Sequence, residues 1–176
     1  MTQYSKRMVI VHWLTLALLL AAWYLGDSLG EATDDSKATL AGYIVHLAVG
    51  GAVLLLTLAQ LIFRRKDGRP PLAADTPMYR AVAKGVHYLL YTVLIVLPAS
   101  GITILLTSKA GPALLAFDAN MLPKEHGYRG VFAHAVHEQL VNVLIVLAVV
   151  HILGAIKHQF ITKDGLMERM MLRRKD

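Results

Sequence analysis

The chain has 176 residues, 56% of them hydrophobic and 17% charged, with no cysteine, and its mean hydropathy is +0.51. Such a composition points to a small integral membrane protein. The missing cysteines exclude disulfides, iron–sulfur clusters, covalent C-x-x-C-H haem attachment and thiol catalysis. The net charge of +6 arises from Lys and Arg at the ends of apolar runs rather than from a polar patch interleaved with exposed aromatics, so it reads as membrane topology and not as nucleic-acid binding.

Lys6 and Arg7 open the first apolar run, 8–25, which resembles a signal peptide in charge pattern but lacks a small-x-small cleavage site around Ala21-Ala22, and is expected to be a retained span. Trp13, Trp23 and Tyr24 fit interfacial aromatic belts near its two ends. The second run is 40–63, the third 82–107, interrupted by Pro98 and Gly101, and the fourth 130–156. At about 1.5 Å per residue each is long enough to cross the hydrocarbon, and the third is expected to kink at its proline. The tail 165–176, with Leu166, Met167, Met170 and Met171 among Arg and Lys, has the spacing of a short amphipathic helix on the cytoplasmic leaflet. The expected fold is all-α: an integral membrane four-helix transmembrane bundle, residues 1–176 forming one domain, with no room for a second module.

Lys and Arg set the orientation. The N-terminus (Lys6, Arg7), the loop after the second run (Arg64, Arg65, Lys66, Arg69, Arg80, Lys84) and the C-terminal region (Lys157, Lys163, Arg169, Arg173, Arg174, Lys175) hold 14 of the 18. Only Lys37, Lys109, Lys124 and Arg129 fall on the other side, so both termini are expected in the cytoplasm of a multi-pass inner-membrane protein.

Six of the 8 histidines, His12, His46, His87, His134, His137 and His151, lie inside the apolar runs, and His158 follows the fourth. Ionisable side chains within a membrane are costly, and a cluster of them marks a functional site. Depth can be counted from the nearest flanking charge. His12 and His151 lie about 8–9 Å below the cytoplasmic surface, and His46 and His137 about 12–14 Å from the charges on the other side. His137 and His151 share a face of one helix and are separated by about 21 Å along its axis, so the fourth span serves two stacked sites. His12 is the partner for the inner site and His46 for the outer. A metal held by two imidazoles alone would be under-coordinated, whereas a haem brings four nitrogens of its own. Two bis-histidine haems follow, each carrying electrons without binding substrate at iron. Gly50 near His46 and Gly154 near His151 would clear a porphyrin face, or serve helix packing.

The other histidines differ. Counted from Lys84 and Lys157, His87 and His158 sit at the cytoplasmic interface, too shallow to pair with His12 or His151. A polar group there would bind a quinone head group and relay protons. His134, one turn outside His137, is the alternative outer ligand; Glu138 is placed to orient a ligand or to pair with Lys or Arg, and His126 falls in a loop.

Tyr4-Ser5 with His12-Trp13, His46, Leu97-Pro98-x-x-Gly101, and His137-Glu138 with His151 and His158 together resemble the bacterial di-haem cytochrome b561 family, over nearly the whole chain. The pattern is also similar to the cytochrome b subunits of nickel hydrogenases and formate dehydrogenases. The resemblance implies two haem b groups, His12 with His151 and His46 with His137 as axial ligands, and ubiquinone as substrate near His87, His158 and Trp13. In the superoxide-oxidase type of this family, electrons pass from periplasmic superoxide to ubiquinone. Here the first outer loop carries Asp27, Glu31, Asp34 and Asp35 against Lys37 alone, a poor lure for an anion. A basic pocket around Lys109, Lys124 and Arg129 would restore it. The expected function is electron transfer between a periplasmic-side donor, superoxide among the candidates, and the quinone pool. The alternative is a membrane anchor that exchanges electrons with a periplasmic dehydrogenase or cytochrome. A transporter using the same histidines without haem is the third class, and a colourless protein would promote it.

Overall fold

The computed structural model describes residues 3–31, 37–68, 70, 76–122 and 131–172. All regular structure among them is helical: α1 (Lys6–Glu31), α2 (Lys37–Lys66), α3 (Pro77–Thr107), the short α4 (Gly111–Ala116) and α5 (Phe132–Ile156), which continues as a π-helical segment, Lys157–Thr162. Single 3₁₀ turns lie at Ala119–Met121 and Met167–Met170. Four of the helices are long and apolar enough to cross a membrane, as the four hydrophobic runs predict. α1 packs mainly on α2, and α3 on α5, with α2 against α3 joining the two pairs.

α1, α2 and α3 are longer than their hydrophobic runs, and at α1 and α3 capping chemistry rather than hydropathy sets the start. Ser5 caps α1, its carbonyl accepting from Val9 N at 3.1 Å and its hydroxyl from Met8 N at 3.4 Å. At α3 the Thr76 hydroxyl accepts from Tyr79 N and Pro77 occupies the first turn, so the helix starts five residues before the run at 82. The 3.6-residue period was interrupted there by Arg80 and Lys84, which hid the cap. α4, opened by Gly111-Pro112, lay outside the expected elements. α3 runs unbroken through Pro98.

The core is thin. Met8, Val9, Leu40, Val53, Val93, Leu94 and Leu97 are buried, while Leu20, Leu55, Leu106 and Val146 are exposed. In water this would be an unstable surface; in a bilayer those side chains meet lipid tails as apolar as themselves. Between α1 and α2 the contact is polar: Gln60 Nε2 donates to Thr15 Oγ1 at 2.7 Å, and the Thr15 hydroxyl donates to the Val11 carbonyl at 2.7 Å, so the buried donors are satisfied within the membrane.

At the end that carries both termini, the basic residues that set topology also tie helices together. Arg7 Nε donates to Asp67 Oδ2 at 2.7 Å, a second Arg7 nitrogen pairs with Oδ1, and the Ser5 hydroxyl donates to Oδ2 at 2.5 Å. The fork geometry makes this a bidentate clamp between the start of α1 and the end of α2. Arg7 also lies over the Phe63 ring at 4.6 Å and Lys157 over Tyr79 at 3.8 Å. In the described part of the tail, residues 165–172, the regular structure is the 3₁₀ turn Met167–Met170. Lys163, at φ 55°, ends the helical continuation of α5, Gly165, at φ 70°, turns the chain again, and the tail folds back on α1. Gln3 donates to the Glu168 carbonyl, Tyr4 N to the Arg169 carbonyl and Trp13 Nε1 to the Met170 carbonyl, at 3.2, 3.2 and 2.8 Å. Among the expectations above, those for Asp34, Asp35, Arg69, Lys124, His126, Arg129 and residues 173–176 lie outside the described residues.

Candidate cofactor sites

Two pairs of imidazoles face each other between helices. The rings of His12 on α1 and His151 on α5 have centres 6.3 Å apart at an interplanar angle of 58°. Those of His46 on α2 and His137 on α5 are 6.2 Å apart at 66°. α5 therefore contributes one ring to each pair, and the partners come from α1 and α2 as the depth count expects. Two metal–imidazole bonds of about 2 Å, plus about 1.1 Å from each nitrogen to its ring centre, put two axial rings about 6.2 Å apart. Both pairs have the separation of a shared metal. No group of three or more His, Cys, Asp or Glu among the described residues is disposed to hold a metal ion, and a facing pair of imidazoles suits a macrocycle that supplies the remaining ligands.

The backbone around the rings fits the same group. Gly26 on α1 lies against His46: a Cβ there would stand 3.1 Å from Cε1 and 3.6 Å from Nδ1. Gly101 on α3 lies beside His137, where a Cβ would stand at ordinary contact distance, 3.6 Å from Cε1. The Leu97-Pro98-x-x-Gly101 motif thus places its glycine on an imidazole. At Gly50 and Gly154 a Cβ would meet no side chain within 4 Å, so packing of neighbouring helices does not require either glycine.

His137 and His46 are held differently. His137 Nδ1 is 2.8 Å from the Ser100 hydroxyl oxygen, and that hydroxyl donates its one hydrogen to the Leu97 carbonyl at 2.7 Å. Ser100 must then accept from Nδ1–H, which leaves Nε2 with the lone pair a metal needs. His46 Nδ1 is buried without a hydrogen bond; the Ala22 carbonyl lies in its direction but short of hydrogen-bond geometry. His134, the alternative ligand, instead faces Glu138, Nδ1 to Oε2 at 3.9 Å, so Glu138 pairs with this histidine and not with Lys or Arg among the described residues.

His87 corrects the depth count. Its ring centre is 5.1 Å from that of His151, edge to face at 90°, nearer than His12. α3 begins at Pro77, ten residues earlier, which puts His87 about 15 Å along the helix. Lys84 itself lies within α3 and is exposed, so it does not mark the edge of the helix. His87 Nδ1 donates to the Ala83 carbonyl at 2.6 Å, leaving Nε2 available. His158, in the π-helical segment, pairs through Nδ1 with Asp164 Oδ2 at 2.5 Å, and Asp164 Oδ1 also accepts from Leu166 N at 3.1 Å. Trp13 stands edge to face with His12 at 5.4 Å, but its N–H is committed to the Met170 carbonyl. Sequence reasoning missed Gly26, Ser100, Asp67 and Asp164. Ser100 carried a signal, a small hydroxyl two residues after a proline within an apolar run; the others are legible only from their partners.

Comparison with known proteins agrees. The profile of the family "prokaryotic cytochrome b561" matches residues 3–172. Cytochrome b562 of Cereibacter sphaeroides is 30% identical over 96% of this chain and 94% of its own length. Cytochrome b561 homolog 1 of Escherichia coli is 26% identical over 99% and 100%. The probable superoxide oxidase CybB of Yersinia pestis is 28% identical over 96% of both. The chain belongs to the prokaryotic cytochrome b561 family, haem b electron-transfer proteins of the membrane.

Proposed function

We propose that the chain binds two b haems, one between His12 and His151 and one between His46 and His137, and carries electrons between a donor on the periplasmic side and ubiquinone on the cytoplasmic side. The observation that carries this reading is the pair of imidazole separations, 6.3 and 6.2 Å, set on one helix. When bound, each haem supplies a one-electron couple, and the two ligand levels on α5 put these couples in line across the bilayer. Both termini face the cytoplasm, by the distribution of Lys and Arg.

Quinone chemistry belongs to the end with the termini. His87 and His158 are the imidazoles there outside the two pairs, with the ring of Trp13 beside His12. Asp164 accepts from His158 Nδ1, orienting the ring so that Nε2 exchanges protons with a quinone oxygen and the carboxylate stabilises the imidazolium that forms. His87 offers Nε2 from the opposite helix, its Nδ1 fixed by its own backbone.

Superoxide is the proposed donor, on the relationship to the probable superoxide oxidase. The acidic first outer loop favours a second reading, in which a basic face of a periplasmic redox protein docks there and the chain is its membrane anchor. Rapid mixing of the oxidised protein with superoxide separates the two: haem reduction near the diffusion limit supports the first, and none refutes it. A reduced-minus-oxidised spectrum with a pyridine haemochrome count tests the whole reading. Two b haems are expected, with His137→Ala losing the outer one and His134→Ala keeping both. Equal losses would refute the ligand assignment, and a colourless protein would refute electron transfer.

A further inference from the structure

The two rings of the outer pair are not equivalent. His137 has its Nδ1 bonded to a buried hydroxyl, whereas the Nδ1 of His46 is buried without a partner. Ser100 is itself buried in the face α3 turns toward α5, among Val93, Leu94 and Leu97. Its hydrogen is given to the Leu97 carbonyl. Its position is set by α3 itself. The hydroxyl reaches back three residues to Leu97, and the ring of His137 lies against the next residue, Gly101. The chain Nδ1–H to Oγ–H to carbonyl runs in one direction, each bond polarising the next.

We propose that Ser100 is a positioning residue for the outer haem: it holds His137 in the Nδ1–H tautomer and raises the electron-donating strength of Nε2, which lowers the reduction potential of that haem relative to one ligated without the bond. A partner at the distal ring nitrogen increases ligand basicity and stabilises the more highly charged metal. Because His46 has no comparable partner, the tuning of this site acts through His137. The effect is directional in the protein's economy of electrons: a lower potential at the outer site favours onward transfer to the inner one.

This inference rests on the assignment of His46 and His137 as axial ligands, and the experiment keeps the two apart. Ser100→Ala, Ser100→Val and Ser100→Thr are prepared as haem-loaded protein in detergent, and haem content, spectroelectrochemical potentials and ferric electron paramagnetic resonance are measured. Val and Thr have the same shape and differ in the hydroxyl. The expected result is that Ala and Val raise the outer haem's potential by up to about 59 mV, a tenfold change in its one-electron equilibrium, and move its low-spin g values, while the inner haem is unchanged and Thr stays close to the parent. If Ala loses the outer haem altogether, Val loses it too and Thr retains it. The inference is overturned if all three variants with two haems share the parent potential, or if Val and Thr behave alike in potential or in haem content. A parent protein with fewer than two haems would refute the ligand assignment itself.

Discussion

Gly26→Ala is the sharpest test of how the outer site is built. The added methyl would stand 3.1 Å from His46 Cε1 and 3.6 Å from Nδ1, whereas unstrained carbon contacts begin near about 3.5 Å. The ring must withdraw by about 0.4 Å, twice the roughly 0.2 Å within which metal–ligand distances hold. α1 is packed along α2, so backbone retreat is resisted by the Thr15–Gln60 contact and the Arg7–Asp67 clamp on the same two helices. A displacement of this kind is expected to weaken outer-haem binding about 10–100-fold, and the pyridine haemochrome count should fall from two toward one. Two other glycines calibrate it. Gly51→Ala meets nothing within 4 Å, points away from the His46 face, and should stabilise α2 by about 0.5–1 kcal/mol without changing the count. Gly50→Ala also meets no protein atom within 4 Å, yet it shares the His46 face, so loss of haem there reports contact with the porphyrin. Two haems with unchanged potentials in Gly26→Ala would refute the reasoning.

Three further predictions follow from the polar contacts. Thr15→Val should cost about 1–3 kcal/mol in detergent unfolding because it strands the Gln60 amide, while Gln60→Leu should cost no more than about 1 kcal/mol since Thr15 keeps its bond to Val11; equal costs would contradict the donor order. The Arg7 guanidinium, with Ser5, holds the Asp67 carboxyl down to about 2. A carboxyl depressed on folding stabilises above its unfolded value, near 3.8, and the contribution is lost as pH falls toward 2. The wild type should therefore lose the clamp's contribution to Tm only below pH about 4, and Asp67→Asn should show a lower Tm at pH 7 with no such acid-dependent loss. Trp13→Phe removes the donor to the Met170 carbonyl, worth about 1 kcal/mol net, and should speed tryptic cleavage after Arg169 about fivefold; unchanged cleavage would mean that Gln3 and Tyr4 hold the tail alone.

Hydropathy and spacing alone determined a great deal. Four apolar runs are enough to specify four spanning helices, since in lipid the backbone has no other way to satisfy itself along a single segment. The interval from His137 to His151 is nearly four helical turns, so their shared face follows from helix geometry, and matched depths select His12 and His46 as partners before any contact is known. Tertiary structure decided what depth counting handled badly. His87 meets His151, and α3 starts at a cap and a proline rather than at the first apolar residue, so Lys84 does not mark its edge. The tail docks on α1 through backbone carbonyls, which no side-chain pattern records. Ser100, Gly26 and Asp164 acquire meaning only beside the ring each one touches. Periodicity along one chain reports which way a residue faces; what it faces depends on how separate helices are brought together.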